Sequence, residues 1–466
     1  MGSINEMSRE FLKLEQDLNL FFQKIDGILY WERIRFRVYT RIYESTAGGE
    51  TLSIKSRRKK SRLRFYISSL INVLRNPFLS RKKDILFVGH PRRVLYNDGS
   101  WSDLYTDPII ESLNRSYVSI EPDFNLSHKE PSRTANLKYL DFIIFLSDIQ
   151  NKLGISKIKI TKRENSVIEQ IQSEIHRRFN INLNIRRLVL LNLRQRKASL
   201  PLYLALLKRI SPKIIVVAVG YGKEDLIEAA KILNIPVAEL QHGVIYPMHL
   251  GYSFSGEHVT KLTFPDYLLV FGKYWASVAD YPITQDKIVS VGYPHMDIEK
   301  RKLSANIKKN QILVISQGGL GNAISKFAVE LSQLVGEEYN IVYKLHPRET
   351  EGWKKRYPEL VDTNVTIINR RDTSLYQLFS ESRIQIGVSS TALYEGLAFG
   401  LQTFLIDAPS VEFFDNLIAS GFAHKVSNPN EVLIHISKET KSTDMDVESI
   451  FKSDAVPNIL EFLNQF

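Results

Sequence analysis

From residue 84 onward, short apolar runs alternate with stretches whose apolar positions recur at helical spacing. The runs at 84–89, 117–120, 140–146, 214–219, 237–240, 267–271 and 288–291 have strand length and little internal alternation, as expected of strands buried on both faces. Helical spacing predicts helices over 164–178, 188–209 and 223–233. The alternation predicts a doubly wound parallel sheet. After a polar link at 299–306 the rhythm restarts. It predicts strands at 312–316, 341–344, 365–368, 384–388 and 403–406, with a helix over 323–335 behind the turn Gln317-Gly318-Gly319-Leu320-Gly321.

The fold class expected is therefore α/β, with two Rossmann-like domains facing a cleft. Four segments follow from the pattern: a helical extension at 1–83, domains at 84–298 and 299–440, and a tail at 441–466 whose helix returns to the first domain. The extension reads as helices around a loop at Ser45-Thr46-Ala47-Gly48-Gly49.

Charge changes the picture of the extension. The chain of 466 residues carries a net charge of +11. Eleven Lys or Arg and no acid lie between Lys55 and Lys83, so the rest is neutral. Leu63, Phe65, Ile67, Leu70 and Leu74 interleave with them, a composition that suits an anionic membrane surface or a solvated basic helix. No zinc-finger or RNP-like pattern accompanies the charge, so no nucleic-acid partner is expected. The absence of cysteine excludes disulfides and thiolate chemistry. No apolar stretch approaches the ~20 residues that span a bilayer, and the N-terminus lacks a signal pattern. A cytoplasmic protein, peripheral on the inner membrane face, is the expectation.

Candidate chemistry collects at the predicted strand ends, where open α/β sheets bind ligands. Lys344, His346 and Arg348 follow one strand; Ser389, Ser390 and Thr391 follow another and open a helical pattern containing Glu395. Their side chains and a helix N-terminus suit phosphate oxygens. Gln317, Gly318 and Gly319 offer backbone that a phosphate can approach, and Glu395 could accept from ribose hydroxyls. In the first domain, His242 within Gln241-His242-Gly243 is a candidate general base. His249 lies nearby, but the spacing matches no usual zinc pattern. The loop after the first strand brings Asp98, Asp103 and Asp107 as candidate bases, with Trp101 and Tyr105 as stacking groups for a sugar. The same residues also read as turn and helix-start signals.

These elements resemble the GT-B glycosyltransferases of surface polysaccharide synthesis. Lys344-Leu345-His346-Pro347 and Ser389-Ser390-Thr391 look like the corresponding elements of capsule Kdo transferases and bacterial sialyltransferases. Gln241-His242-Gly243 looks more like the CDP-glycerol polyol phosphotransferases. The match covers about 237–297 and 312–406. It departs in having Ala392-Leu393-Tyr394 where the polyol transferases carry an aspartate, and Asn97-Asp98-Gly99 where sialyltransferases carry an acidic pair. The resemblance implies transfer of a sugar from a CMP-, UDP- or GDP-linked donor to a capsule, lipopolysaccharide or other lipid-linked glycan acceptor, with no cofactor and no metal. Domain 84–298 would hold the acceptor and domain 299–440 the nucleotide-sugar. His242 or Asp98 would be the base, with Asp107 a further catalytic candidate. His346, Ser389 and Ser390 would hold the donor phosphates, and Trp101, Tyr105 and His249 would meet the acceptor. A CDP-polyol phosphotransferase, a UDP-sugar 2-epimerase and a membrane- or RNA-associated scaffold are the other readings.

Overall fold

The computed structural model describes residues 4–46, 72–91, 93–96, 98–254, 261–369, 373–437 and 446–466. Most of the basic segment, from Lys55 to Arg64, lies outside them.

Seven strands form the first sheet: β1 (Ile85–Val88), β2 (Tyr117–Glu121), β3 (Leu137–Tyr139), β4 (Ile214–Val217), β5 (Val237–Leu240), β6 (Tyr267–Val270) and β7 (Ile288–Ser290). Their order is β3-β2-β1-β4-β5-β6-β7, and every pair is parallel. The second sheet contains β8 (Gln311–Ile315), β9 (Asn340–Lys344), β10 (Thr366–Ile368), β11 (Ile384–Gly387), β12 (Gln402–Ile406) and β13 (His424–Val426). It runs β10-β9-β8-β11-β12-β13, again all parallel. Both orders reverse once, between β1 and β4 and between β8 and β11. Such a switch point leaves a crevice at the carboxyl ends of the strands. The fold is thus the expected two-domain α/β architecture of the GT-B class, with a helical N-terminal region.

The helices used below are α1 (Ile4–Asp17), α2 (Trp31–Thr46), α3 (Asp141–Lys152), α4 (Lys162–Phe179), α5 (Ile185–Ile210), α6 (Glu224–Ile232), α7 (Pro294–Lys302), α8 (Gly321–Val335), α9 (Thr391–Ala398) and α10 (Ala455–Leu463). Two sequence expectations need correction. The run at 140–146 is the start of α3, not a strand; the strand is the three residues just before it. Periodicity cannot separate a short apolar run in a strand from one in a helix. The polar link at 299–306 also begins later, because α7 extends to Lys302. Strand β13 was not anticipated.

The extension is not a loose arm. Phe11, Leu14, Trp31, Ile34 and Val38 share one core with Ile168, Ile171 and Ile175 of α4 and Val189 and Leu193 of α5. Thr161 and Glu164 start α4 as a capping box, each side chain accepting from the other's backbone N–H, at 3.2 and 2.7 Å. Buried Arg35 of α2 forms a two-pronged pair with Glu15, at 2.7 and 2.8 Å, and donates to the Ser253 carbonyl at 3.1 Å. The pair ties the extension to the loop that carries His249. At the other end of the chain, Ile459, Phe462 and Leu463 of α10 pack against Ile85 and Phe87 of β1 and Leu240 of β5. The chain therefore closes on its first sheet.

Candidate active site

Gln317 follows β8 and Ser389 follows β11, so the two side chains flank the switch point of the second sheet. Gln317 Nε2 donates to Ser389 Oγ at 2.9 Å, and Gln317 Oε1 accepts from the Ser389 backbone N–H at 3.1 Å. Gly319 sits at φ +91°, a conformation that favours glycine. A side chain on Gly318 would come 3.9 Å from His346 Nδ1, which places the imidazole directly over this turn. Ser390 caps α9. Residues 317–319, 346 and 389–390 are therefore one cluster, with the N-terminal amides of α9 beside it. Those amides carry the partial positive charge of a helix start.

His346 is positioned by a group that the sequence reading missed. Glu349 is buried and accepts from the His346 backbone N–H at 3.0 Å, Ser316 Oγ at 2.7 Å and Tyr357 Oη at 2.7 Å. His346 Nδ1 accepts from the Arg348 backbone N–H at 3.2 Å, so the neutral ring carries its hydrogen on Nε2. Gly321 leaves room for this arrangement, since a Cβ there would strike Tyr357 and Glu349. A glutamate three residues beyond the histidine was the available signal. Lys344 ends β9, half-buried, and Arg348 is exposed on the turn after it.

Glu395 lies one turn into α9, within hydrogen-bonding reach of Tyr376. Burial pushes its carboxyl up to about 7. Tyr376 is also hydrogen-bonded to Tyr293, whose ring stacks on Tyr105 at 6.0 Å. Tyr105 Oη donates to the His242 carbonyl at 2.8 Å. This chain of contacts links α9 of the second domain to the end of β5 in the first.

His242 Nε2 lies 2.8 Å from Tyr221 Oη, and His242 Nδ1 lies 3.2 Å from Tyr252 Oη. Tyr252 Oη donates to Glu239 Oε1 at 2.6 Å. With that hydrogen committed, Nδ1–H is the donor to Tyr252, and Nε2 accepts from Tyr221. Burial lowers His242 to about 3. Its ring is neutral at physiological pH, with the Nε2 lone pair aimed at Tyr221. Tyr252 and Glu239 stand behind it. Behind Tyr221 is a cavity of about 220 Å³, lined by Arg35, Phe36, Arg37, Gly220, Glu239 and Gly251 among others.

The other sequence-derived residues fall elsewhere. His249 packs against Tyr221 and Tyr252 beside His242; it stacks on Phe36 at 5.6 Å, and Nδ1 accepts from the Gly251 N–H at 3.1 Å. Asp107 is buried, accepting from Ser102 Oγ, the Asp103 N–H and Thr134 Oγ1 at 2.8, 2.8 and 2.6 Å. Asp103 is likewise spent on the His90 N–H and Thr106 Oγ1, both at 2.8 Å. These two carboxylates hold the loop in shape. Asp98 is exposed and takes hydrogen bonds from Arg133 at 2.6 Å and from the Ser100 N–H at 2.9 Å; the Arg133 guanidinium keeps it well below the usual carboxylate range. Trp101 stands in a two-residue ribbon with Leu95, its ring under the Lys129 amine at 4.6 Å. Among the described residues, no three His, Asp or Glu side chains converge as a metal-ligand set.

No protein-family model matches the chain, and no curated protein matches it. Among solved structures, it is similar to the UDP-GlcNAc 2-epimerase of Methanocaldococcus jannaschii, with 13% identity over 82% of this chain and 99% of that one, at a TM-score of 0.46. The enzyme of the same name from Neisseria meningitidis, bound to UDP-GlcNAc, gives 15% identity, 82% and 99% coverage, and a TM-score of 0.48. The wall teichoic acid polymerase TagF gives 11% identity, 87% and 98% coverage, and a TM-score of 0.43.

Proposed function

We propose that this protein is a glycosyltransferase that moves a sugar from a nucleotide-sugar donor to a glycan or lipid-linked acceptor. The observation that carries the reading is the cluster at the second switch point, where Gln317, Gly318, His346, Ser389 and the amides of α9 converge. These groups are hydrogen-bond donors on a glycine-containing turn and a helix start, the chemistry that binds phosphate oxygens. Glu395, one turn deeper, would accept from ribose hydroxyls.

In the reaction, an acceptor hydroxyl displaces Tyr221 from His242 Nε2 and gives up its proton there. The acceptor oxygen attacks the anomeric carbon as the bond from that carbon to the donor phosphate breaks. The electron pair goes to the phosphate oxygen, where His346 Nε2–H, Lys344, Arg348 and the α9 amides stabilise the charge. Those groups take the part that a magnesium ion plays elsewhere. Asp98 and Asp107 have no part in this scheme, since Asp98 is engaged by Arg133 and Asp107 by Thr134.

The test is to incubate the protein with CMP-, CDP-, UDP- and GDP-linked donors in the presence of a lipid-glycan extract. Products are followed by NMR and mass spectrometry. Release of nucleotide with sugar incorporated into glycan is expected. An epimerised sugar still joined to its nucleotide, or transfer of a polyol phosphate, would replace this reading with the corresponding alternative.

A further inference from the structure

Helix α3 carries apolar side chains on its outer as well as its inner side. An amphipathic helix on a domain surface turns its apolar stripe inward. In α3, Ile143 joins the core of the first domain and Ser147 is buried on the same side. Phe142, Phe145, Ile149 and, just past the helix end, Leu153 recur at i, i+3, i+7 and i+11. They form one stripe along the opposite side, with Phe142 and Leu153 exposed. Leu153 is 70% exposed, and Ile155 after it 64%.

At the start of the stripe stands the short turn Asn72–Arg75. Val73 lines a shallow groove with Phe142 and Phe145, and Leu74 beside it is 77% exposed. Large apolar side chains from two chain segments thus form one outward patch, which on a soluble domain marks an interaction surface.

Cations outnumber acids in the segments around it. Lys138 donates to the Leu74 carbonyl at 3.0 Å. Arg75, Lys152, Lys157 and Lys159 lie in the segments that border the stripe. Of the acids in these segments, Glu130 is engaged by Arg75 at 3.3 Å and Asp141 by His128 at 2.8 Å, while Asp148 lies on α3 itself. The basic stretch Lys55–Arg64 runs into this turn in the sequence. We propose that the face formed by α3, residues 153–155 and the turn 72–75 is a membrane-docking surface, whose apolar side chains enter the interface of an anionic bilayer while the flanking cations meet its headgroups. No helix among the described residues is long and apolar enough to cross a membrane, so this attachment is peripheral. The proposal does not depend on the identity of the donor.

The test is cosedimentation of the full chain with phosphatidylcholine vesicles, with and without phosphatidylglycerol. Binding to the anionic vesicles is expected. The double variant Leu74→Ser/Leu153→Ser should weaken it about a hundredfold or more, since each change removes a side chain's worth of apolar burial, with the melting temperature unchanged. Ile307→Ser alters a comparably exposed apolar residue of the other domain and should leave binding intact. The proposal fails if wild type does not bind, or if Ile307→Ser weakens binding equally. It fails also if only neutralising Lys55–Arg64 releases the protein. A shift of the double variant from dimer to monomer in light scattering, with vesicle binding retained, would assign the face to a second copy instead.

Discussion

Gln317 and Ser389 grip each other across the one place where the second sheet reverses its strand order, with the Gln317 amide donating to the serine hydroxyl at 2.9 Å and accepting from the serine N–H at 3.1 Å. The clasp fixes the spacing of two strand ends and holds polar groups at the crevice that a doubly wound sheet provides. Gln317→Ala should weaken nucleotide binding about tenfold or more, corresponding to one or two hydrogen bonds at about 1 to 1.5 kcal/mol each, with little loss of stability. Calorimetric titration of wild type and variant checks it. Equal affinities would show that the clasp is structural only.

Glu349 is the hub beneath His346. Its carboxylate satisfies three donors on three segments. Glu349→Ala should cost about 2 to 4 kcal/mol of stability, because it strands buried donors. Urea unfolding measures this. Tyr357→Phe, which removes one donor and keeps the carboxylate, should cost about 1 kcal/mol.

The pH dependence of nucleotide binding should report on Glu395. Its pKa of about 7 means that the carboxylate form, the stronger acceptor for ribose hydroxyls, is populated above neutrality. Affinity should therefore rise between pH 6 and 8, the range of about one unit either side of that pKa, and Glu395→Gln should flatten the profile. A slope that persists in the variant would assign the titration to another group.

Stability should fall at both ends of the pH scale. Burial lowers His242 to about 3, and His249 and His295 to about 4. Each is neutral when folded and gains a proton on unfolding below pH 6.5, so the stability that their neutral forms confer is present above 6.5 and is lost as pH falls toward 4. The slope is about 1.4 kcal/mol per pH unit for each histidine. His128 behaves oppositely. Despite the opposing cost of burial, hydrogen bonds to Asp141, at 2.8 Å, and to Glu121, at 3.3 Å, raise it to about 9. Its contribution is complete below 6.5 and is lost as pH rises through 9. Thermal unfolding from pH 4 to 10 checks both limbs, and His128→Gln should remove the alkaline one.

Much of this was legible in the chain. Apolar runs such as 214–219 and 384–388 read correctly as strands, because buried parallel strands need no alternation. The cluster was visible too, since Ser389 to Thr391 cap a helix and His346 ends a strand. The run at 140–146 misled because α3 carries apolar residues on its outer as well as its inner side, which erases the helical period. Asp103 and Asp107 looked like bases, but both are taken up by hydrogen bonds, some local and some, to His90 and Thr134, that only the fold brings together. Glu349 was missed because its partners, Ser316 and Tyr357, come from separate segments that only the tertiary fold unites. The Glu239–Tyr252–His242 arm was hidden for a different reason: a glutamate inside the apolar strand β5 reads as an exception until its tyrosine partner is in place.

The central claim is that the second switch point binds the phosphate of a nucleotide donor. The most direct measurement is a thermal-shift panel of CMP, CDP, UDP and GDP and their sugars on wild type and His346→Ala. A ligand that binds only the native state raises the melting temperature by mass action. One nucleotide class should stabilise the wild type, and His346→Ala, folded with a similar unliganded melting temperature, should lose most of that shift. Stabilisation that is undiminished in His346→Ala, or absent for every nucleotide in the wild type, would contradict the account.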